Sequence, residues 1–297
     1  MPGGAVALIR LLALLVLTLA PLSAHAAGAQ FLDRFRWGGD DPHHGGFSAL
    51  DLDDDGTGFV AVSDRGWIVR GRLQRAGVAI SGVVLTGEAH LLDPRGHELE
   101  FPWQDSEGVA VDGAGRIFVS FEGRHRVWRY DRFGGPATAL PTHPDFRGME
   151  LNSSLEALAI DRDGALYTLP ERSGAPSRPF PLYRFAGNRW TKPFTLPREG
   201  GFLPVGADFG PDGRLYLLER RFDGIFGFAS RVRRFTLGPE GPVAEETLFT
   251  SPNFFNDNLE GLAVWRDGTG AIRLTMIADD NFSIFQHTEF VEYRVTE

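Results

Sequence analysis

SLEALAIDRDGALYTLPER, residues 154–172, reads as two short strands folded back on an Asp163-Gly164 turn. An acid stands at each outer end, Glu156 at the opening and Glu171 at the close. DSEGVAVDGAGRIFVSFE (105–122) repeats the pattern almost position for position, from Glu107 to Glu122. NLEGLAVWRDG (258–268) repeats the opening at Glu260, and MIADDN (276–281) the close. VGADFGPDGRLYLLER (205–220) keeps the turn and the close, and residues 47–65 form a looser copy ending in Asp64-Arg65.

The copies start near Ser48, Glu107, Glu156, Val205 and Glu260, at spacings of 59, 49, 49 and 55 residues. That is the length of one four-stranded propeller blade. After Glu107 come strand-like segments 109–111, 116–121, 126–130 and 137–140; after Glu156 come 158–160, 165–169, 182–185 and 190–196. No amphipathic helix of useful length appears. The expected fold is an all-β propeller of five blades, with a sixth, degenerate blade in the long first spacing as the alternative. The last copy supplies about three strands, so Phe31–Trp37 is expected to complete it and close the ring by pairing the two ends of the chain.

Around this repeat, the whole chain sets bounds. It has 297 residues, no cysteine and a formal charge of −9. Such a length buries a large core without disulfides. Arg10, the apolar run 11–20 and the small-x-small site Ala24-His25-Ala26 read as a secretory signal over residues 1–26. One domain over 27–297 is expected, periplasmic or secreted and monomeric, with no membrane span after cleavage. No Lys/Arg block suggests a nucleic-acid or anionic-membrane partner, and Lys192 is the only lysine.

In a hairpin the start of the first strand lies beside the end of the second. Glu107 and Glu122 therefore share one end of their blade, as do Glu156 and Glu171. With first strands lining the channel, acids collect at one rim: Asp64, Glu107, Glu122, Glu156, Glu171, Glu219, Glu260, Asp279 and Asp280, with Asp208 if it faces inward. Two carboxylates about 6 Å apart repel by roughly 3 kcal/mol at an effective dielectric near 20. Arginine pairing, protonation or a bound cation must relieve this. Hard oxygen ligands favour Ca²⁺, or Mg²⁺, over zinc. The competing reading makes the closing acid–Arg pairs inter-blade salt bridges.

Familiar catalytic signatures fail. There is no G-x-S-x-G elbow and no H-E-x-x-H. Asp51–Gly56 imitates an EF-hand start, but Val62 stands where the bidentate Glu belongs, so a hairpin turn is expected. His43-His44 lies on the approach to the first blade, and Gly87–His90 reads as loop.

The segments GGFSALDLDDDGTGFVAVSDRG (45–66), SEGVAVD (106–112), SLEALAIDRDG (154–164), LPERSG (169–174), DFGPDGRLYLLERRF (208–222) and NLEGLAV (258–264) together resemble the bacterial phytase-like family labelled esterase-like activity of phytase. The resemblance implies an exported β-propeller with phosphomonoesterase or esterase activity. More distantly, the chain is similar to calcium-dependent β-propeller phytases, whose channel-mouth acids hold calcium ions that bind substrate phosphates and activate water; no ligand set carries over. The expectation is a metal-assisted hydrolase of phosphoric, phytate-like or related small-molecule esters. Glu107, Glu156, Asp208 and Glu260 are the expected metal ligands, and Arg65, Arg172 and Arg220 the phosphate grip. Glu156, Glu171 and Arg172 are the catalytic candidates. A calcium-dependent lactonase or carboxylic esterase and a non-catalytic ligand- or protein-binding propeller are the alternatives.

Overall fold

The computed structural model describes residues 27–39 and 43–297; the expected leader, residues 1–26, lies outside the described residues. Strand β1 (Gly28–Arg36) comes first. Blade 1 then holds β2 (Phe47–Leu52), β3 (Gly58–Ser63), β4 (Trp67–Ala76) and β5 (Ala79–His90). Blade 2 holds β6 (Ser106–Val111), β7 (Ile117–Phe121), β8 (Arg126–Tyr130) and β9 (Ala137–Ala139). Blade 3 holds β10 (Leu155–Ile160), β11 (Leu166–Pro170), β12 (Phe180–Ala186) and β13 (Arg189–Leu196). Blade 4 holds β14 (Leu203–Phe209), β15 (Leu215–Phe222), β16 (Phe228–Gly238) and β17 (Gly241–Thr250). Blade 5 holds β18 (Asn258–Arg266), β19 (Ile272–Asp279) and β20 (Glu289–Thr296), and β1 pairs with β20 to complete it.

Five sheets of four strands settle the blade number and dispose of a sixth blade. The long first spacing is absorbed by the ten- and twelve-residue strands β4 and β5 and by the loop after them. Gly87–His90, expected as loop, belongs to β5, because its pairing with β4 continues to His90. Among the described residues the only helical turns are two short 3₁₀ segments, and no helix is long and apolar enough to cross a membrane.

The first strands β2, β6, β10, β14 and β18 touch one another in a closed ring around the channel. Each is buried along most of its length, whereas outer strands such as β4 alternate buried and exposed. The core divides into five apolar clusters, one per blade interface. Ala110, Phe118 and Val127 of blade 2, for example, pack with Leu155, Leu158 and Tyr183 of blade 3. Burial at these five seams, about 25 cal/mol per Å² of apolar surface, holds the ring together.

Four of the five hairpin turns joining first and second strands share one device, blade 4 having Gly210 in place of the aspartate. Asp112 Oδ1 accepts the amides of Ala114 and Arg116, and Asp161 Oδ1 those of Asp163 and Ala165. Asp53 caps the first turn in the same way, through Thr57 and Gly58, which makes Asp51–Gly56 a hairpin turn. Gly115 and Gly164 close their turns in the left-handed region, where a side chain would be strained.

Candidate functional site at the acidic channel mouth

Each first strand carries one β-bulge near its start. Pairing skips Ser48, Glu107, Glu156, Val205 and Glu260, and a bulge re-aims the extra residue. These five residues form the inner row of the mouth. The residue after each bulge is small, Ala49, Gly108, Ala157, Gly206 or Gly261, because neighbouring strands nearly touch there. A Cβ on Gly108 would lie 2.5 Å from Ser120 Oγ and 2.7 Å from Leu158 Cβ. The waist of the channel consequently keeps a space of only about 10 Å³, about one water's worth.

The outer row comes from the residues at the far ends of the second strands, Asp64, Glu122, Glu171, Arg220 and Asp279. The ladders β6–β7, β10–β11, β14–β15 and β18–β19 place them in one register. In blade 4, Glu219 pairs with Pro204, one step inside that position, and Arg220 takes it. Glu219 is thereby removed from the rim. It is fully buried between Arg231 (2.7 Å) and Arg233 (2.6 Å) as a salt bridge inside blade 4. The expected inter-blade bridge is made not by Glu219 but by Arg220, which pairs with Glu171 of blade 3 and Glu260 of blade 5.

Eight carboxylates meet at the mouth: Asp64, Asp105, Glu107, Glu122, Glu156, Glu171, Glu260 and Asp279. Burial, then Glu156 and Asp105, pushes the Glu107 carboxyl well above its ordinary range. Burial, then Glu122, Glu171 and Glu260, does the same to Glu156. Burial raises Asp279 to about 8, with Glu260 and Asp64 adding to it, and Asp64 to about 6, with Asp105 adding. Glu260 is raised by burial despite Arg220 beside it, and Asp105 by burial. Glu122 is raised by burial although its Oε1 accepts the amides of Ser153 and Ser154 (2.6 Å from the latter).

Arg220 sets a guanidinium among these acids. Nη1 donates to Asn258 Oδ1 (2.5 Å) and to Glu260 Oε1, and Nη2 donates to Glu171 Oε1 (3.3 Å). Burial alone would lower its pKa, but Glu260, Glu156 and Glu171 outweigh it and hold the charge firmly.

One oxygen each from Asp105, Glu107 and Glu122 lies within 4.8 Å of the other two. Ca²⁺ binds oxygens at 2.3–2.6 Å, so ligands across one ion lie about 5 Å apart, and this trio fits a single ion. Asp105 escaped the sequence reading; its signal was its place two residues before the opener Glu107. Asn258 holds the same place before Glu260.

The remaining expected residues scatter. Arg172 is half-exposed, with Nε 3.5 Å from Glu171, and opens onto a groove of about 290 Å³ shared with Arg198. Arg65 is exposed and its guanidinium lies over the Phe282 ring, 3.2 Å from the centroid. Asp208 is not at the mouth. It sits at the turn end, where Oδ2 accepts the amide of Val264 in blade 5 (2.7 Å). Asp51 likewise accepts Val111 of blade 2 (2.8 Å). Burial, then Asp51, raises Asp208 well above the carboxylate range. His44 bonds the Trp37 carbonyl, and His43 stacks on Trp67.

The turn end holds a larger hollow, about 710 Å³, ringed by Asp51, Asp112, Asp161 and Asp208. Asp51, Asp112, Asp161 and Asp208 accept turn or neighbouring-strand amides, whereas the carboxylates of the mouth also face one another, which makes the mouth the candidate site. The mouth also has an apolar surround that sequence alone did not show. Phe101, Leu151, Phe222, Ile225, Phe226, Phe254, Ile284 and Phe285 are 61–88% exposed, on loops, a strand end and a 3₁₀ turn at that end.

The sequence model of the phytase-like family, described as esterase-like activity of phytase, matches residues 42–282. No curated protein matches the chain. Among solved structures, it is similar to the catalytic domain of Coprinopsis cinerea GH62 α-L-arabinofuranosidase, with a TM-score of 0.56 at 12% identity over 91% of this chain and 98% of that one. It is also similar to the PQQ-bound aldose sugar dehydrogenase of Streptomyces coelicolor, with a TM-score of 0.52 at 12% identity and the same coverage, 91% and 98%. At that identity the likeness is one of fold alone.

Proposed function

The chain belongs to the phytase-like family described as esterase-like activity of phytase, and from that premise we propose that it is a metal-assisted ester hydrolase working at the acidic mouth. The observation that carries this reading is the carboxylate trio of Asp105, Glu107 and Glu122, whose oxygens lie within 4.8 Å of one another. Like-charged groups packed so closely need a proton, an arginine or a bound cation to relieve the repulsion, and a bound cation suits a trio with oxygens at ligand spacing. A bound Ca²⁺ would polarise a phosphoryl oxygen and lower the pKa of a coordinated water.

The chain's own residues do the rest. Arg172, half-exposed beside the mouth and steadied by Glu171, is placed to hold a phosphate by two parallel hydrogen bonds. Glu156, whose carboxyl is pushed well above its ordinary range by burial and its acidic neighbours, is the candidate general acid for the leaving oxygen. Arg65, over Phe282 and acting on Asp64, offers a second cation. The leader read over residues 1–26 supports a periplasmic or secreted enzyme.

The test is phosphate release from p-nitrophenyl phosphate and from phytate, with EDTA and after Ca²⁺ is restored. Turnover abolished by EDTA and recovered with Ca²⁺ is expected; clean protein inactive in both states removes the proposal.

The apolar loop tips favour a second reading, hydrolysis of carboxylic esters or lactones at the same mouth. A highly charged phytate gains nothing from exposed Phe and Ile, whereas an ester with an apolar body does. Activity on p-nitrophenyl acetate or γ-lactones that survives Arg172→Ala selects this reading.

A further inference from the structure

Three positions recur in every blade: two residues before the bulge, the bulge itself, and the far end of the second strand. In blade 2 they are Asp105, Glu107 and Glu122, three oxygens within 4.8 Å of one another. In blade 5 they are Asn258, Glu260 and Asp279, again all oxygen-bearing. The blade 5 set is already engaged. Asn258 Nδ2 donates to Glu260 Oε1 (2.8 Å) and, at 3.4 Å, to Asp279 Oδ2. Arg220 Nη1 meets Asn258 Oδ1 (2.5 Å) and Glu260 Oε1, while Nη2 reaches Glu171 of blade 3 (3.3 Å). Blade 4 sends this guanidinium from the position where its neighbours send carboxylates.

We infer that Arg220 is a tethered cation that fills the blade 5 counterpart of the blade 2 metal site and also ties up Glu171 of blade 3, so that the mouth takes one divalent ion, on the blade 2 side. Arg220 is then a positioning residue and not part of a phosphate grip, since both its terminal nitrogens already donate to protein oxygens. The single ion is confined to the blade 2 side, and the substrate has one side of the mouth from which to approach it. This inference rests on the metal reading above.

Calcium stoichiometry tests it without reference to turnover. EDTA-stripped protein is titrated with Ca²⁺ by calorimetry, and bound calcium is checked by equilibrium dialysis. The wild type should bind one ion, Arg220→Gln and Arg220→Ala two, Asp105→Ala none, and the Asp105→Ala/Arg220→Gln pair one. The glutamine variant keeps side-chain length and hydrogen bonding should the alanine variant not fold. Two ions in the wild type, or one in both wild type and folded Arg220→Gln, overturns the inference while leaving a metal enzyme standing. No ion in folded wild type removes the metal reading, and this inference falls with it.

Discussion

Glu122 of blade 2 reaches into blade 3, where its Oε1 accepts the backbone amides of Ser153 and Ser154. It is also one corner of the Asp105–Glu107–Glu122 trio. One side chain thus fastens two blades and faces the proposed ion, and the two duties can be separated. Glu122→Gln keeps an oxygen for the amides, so the fold should survive while calcium affinity drops at least tenfold in a calorimetric titration. Glu122→Ala abandons two buried amides and should cost about 1–3 kcal/mol in urea denaturation. Unchanged affinity in Glu122→Gln would take Glu122 out of the binding set.

The raised carboxyls fix the direction of the pH response. A carboxyl whose folded pKa exceeds its unfolded value stabilises the fold below the unfolded value, near 4, and that stability is lost as pH rises through the folded one. With Asp64 near 6 and Asp279 near 8, metal-free protein should lose Tm steadily between pH 5 and 9. Millimolar Ca²⁺ should flatten the slope, because the ion favours the ionised forms. Asp51, raised to about 7 by burial at the far end, should keep a residual slope that Asp51→Asn reduces. A Tm in EDTA that is flat or climbs across this range would contradict the packing of the mouth.

Glu219 and Arg233 are both fully buried and joined at 2.6 Å. Removing one partner strands the other charge, so Glu219→Ala should cost about 3–5 kcal/mol while leaving calcium binding by the folded fraction unaltered. A thermal-shift titration reads both quantities. Loss of calcium affinity without loss of stability would return Glu219 to the rim.

The narrow waist isolates the two ends of the channel. Asp208→Asn, at the turn end, should leave calcium affinity and ester turnover within about twofold of wild type, since distant sites act independently. The amide can still offer an oxygen to the Val264 N–H. A tenfold loss of affinity would mean that the ends communicate.

Much of this was legible because the repeat is explicit. β8 runs over Arg126–Tyr130, the span the sequence suggested, and the Asp–Gly turns lie where their spacing puts them. Glu107, Glu156 and Glu260 do converge at one mouth. The failures share a physical origin. A bulge displaces side chains by one residue, and in a strand one residue decides which side of the sheet is faced. Aligning Glu219-Arg220 with Glu171-Arg172 by residue type therefore put the wrong side chain on the rim. Counting fifteen from the opener, as from Glu107 to Glu122 and from Glu156 to Glu171, leads from Val205 to Arg220. Asp208 misled for a related reason, standing three residues beyond the bulge on a strand already heading for the turn. The apolar loop tips were invisible in sequence because isolated Phe and Ile in loops carry no periodicity.

The fifth blade is finished by β1, so Gly28–Arg36 must find β20 more than 250 residues later in the chain. Until it does, β20 presents an unpaired edge to any chain nearby. This pairing is the most nonlocal strand contact among the described residues, and such contacts form slowly. In concentrated refolding mixtures that vacant edge can accept the first strand of a second copy, and strand-exchanged dimers dissociable only by unfolding are the expected by-product.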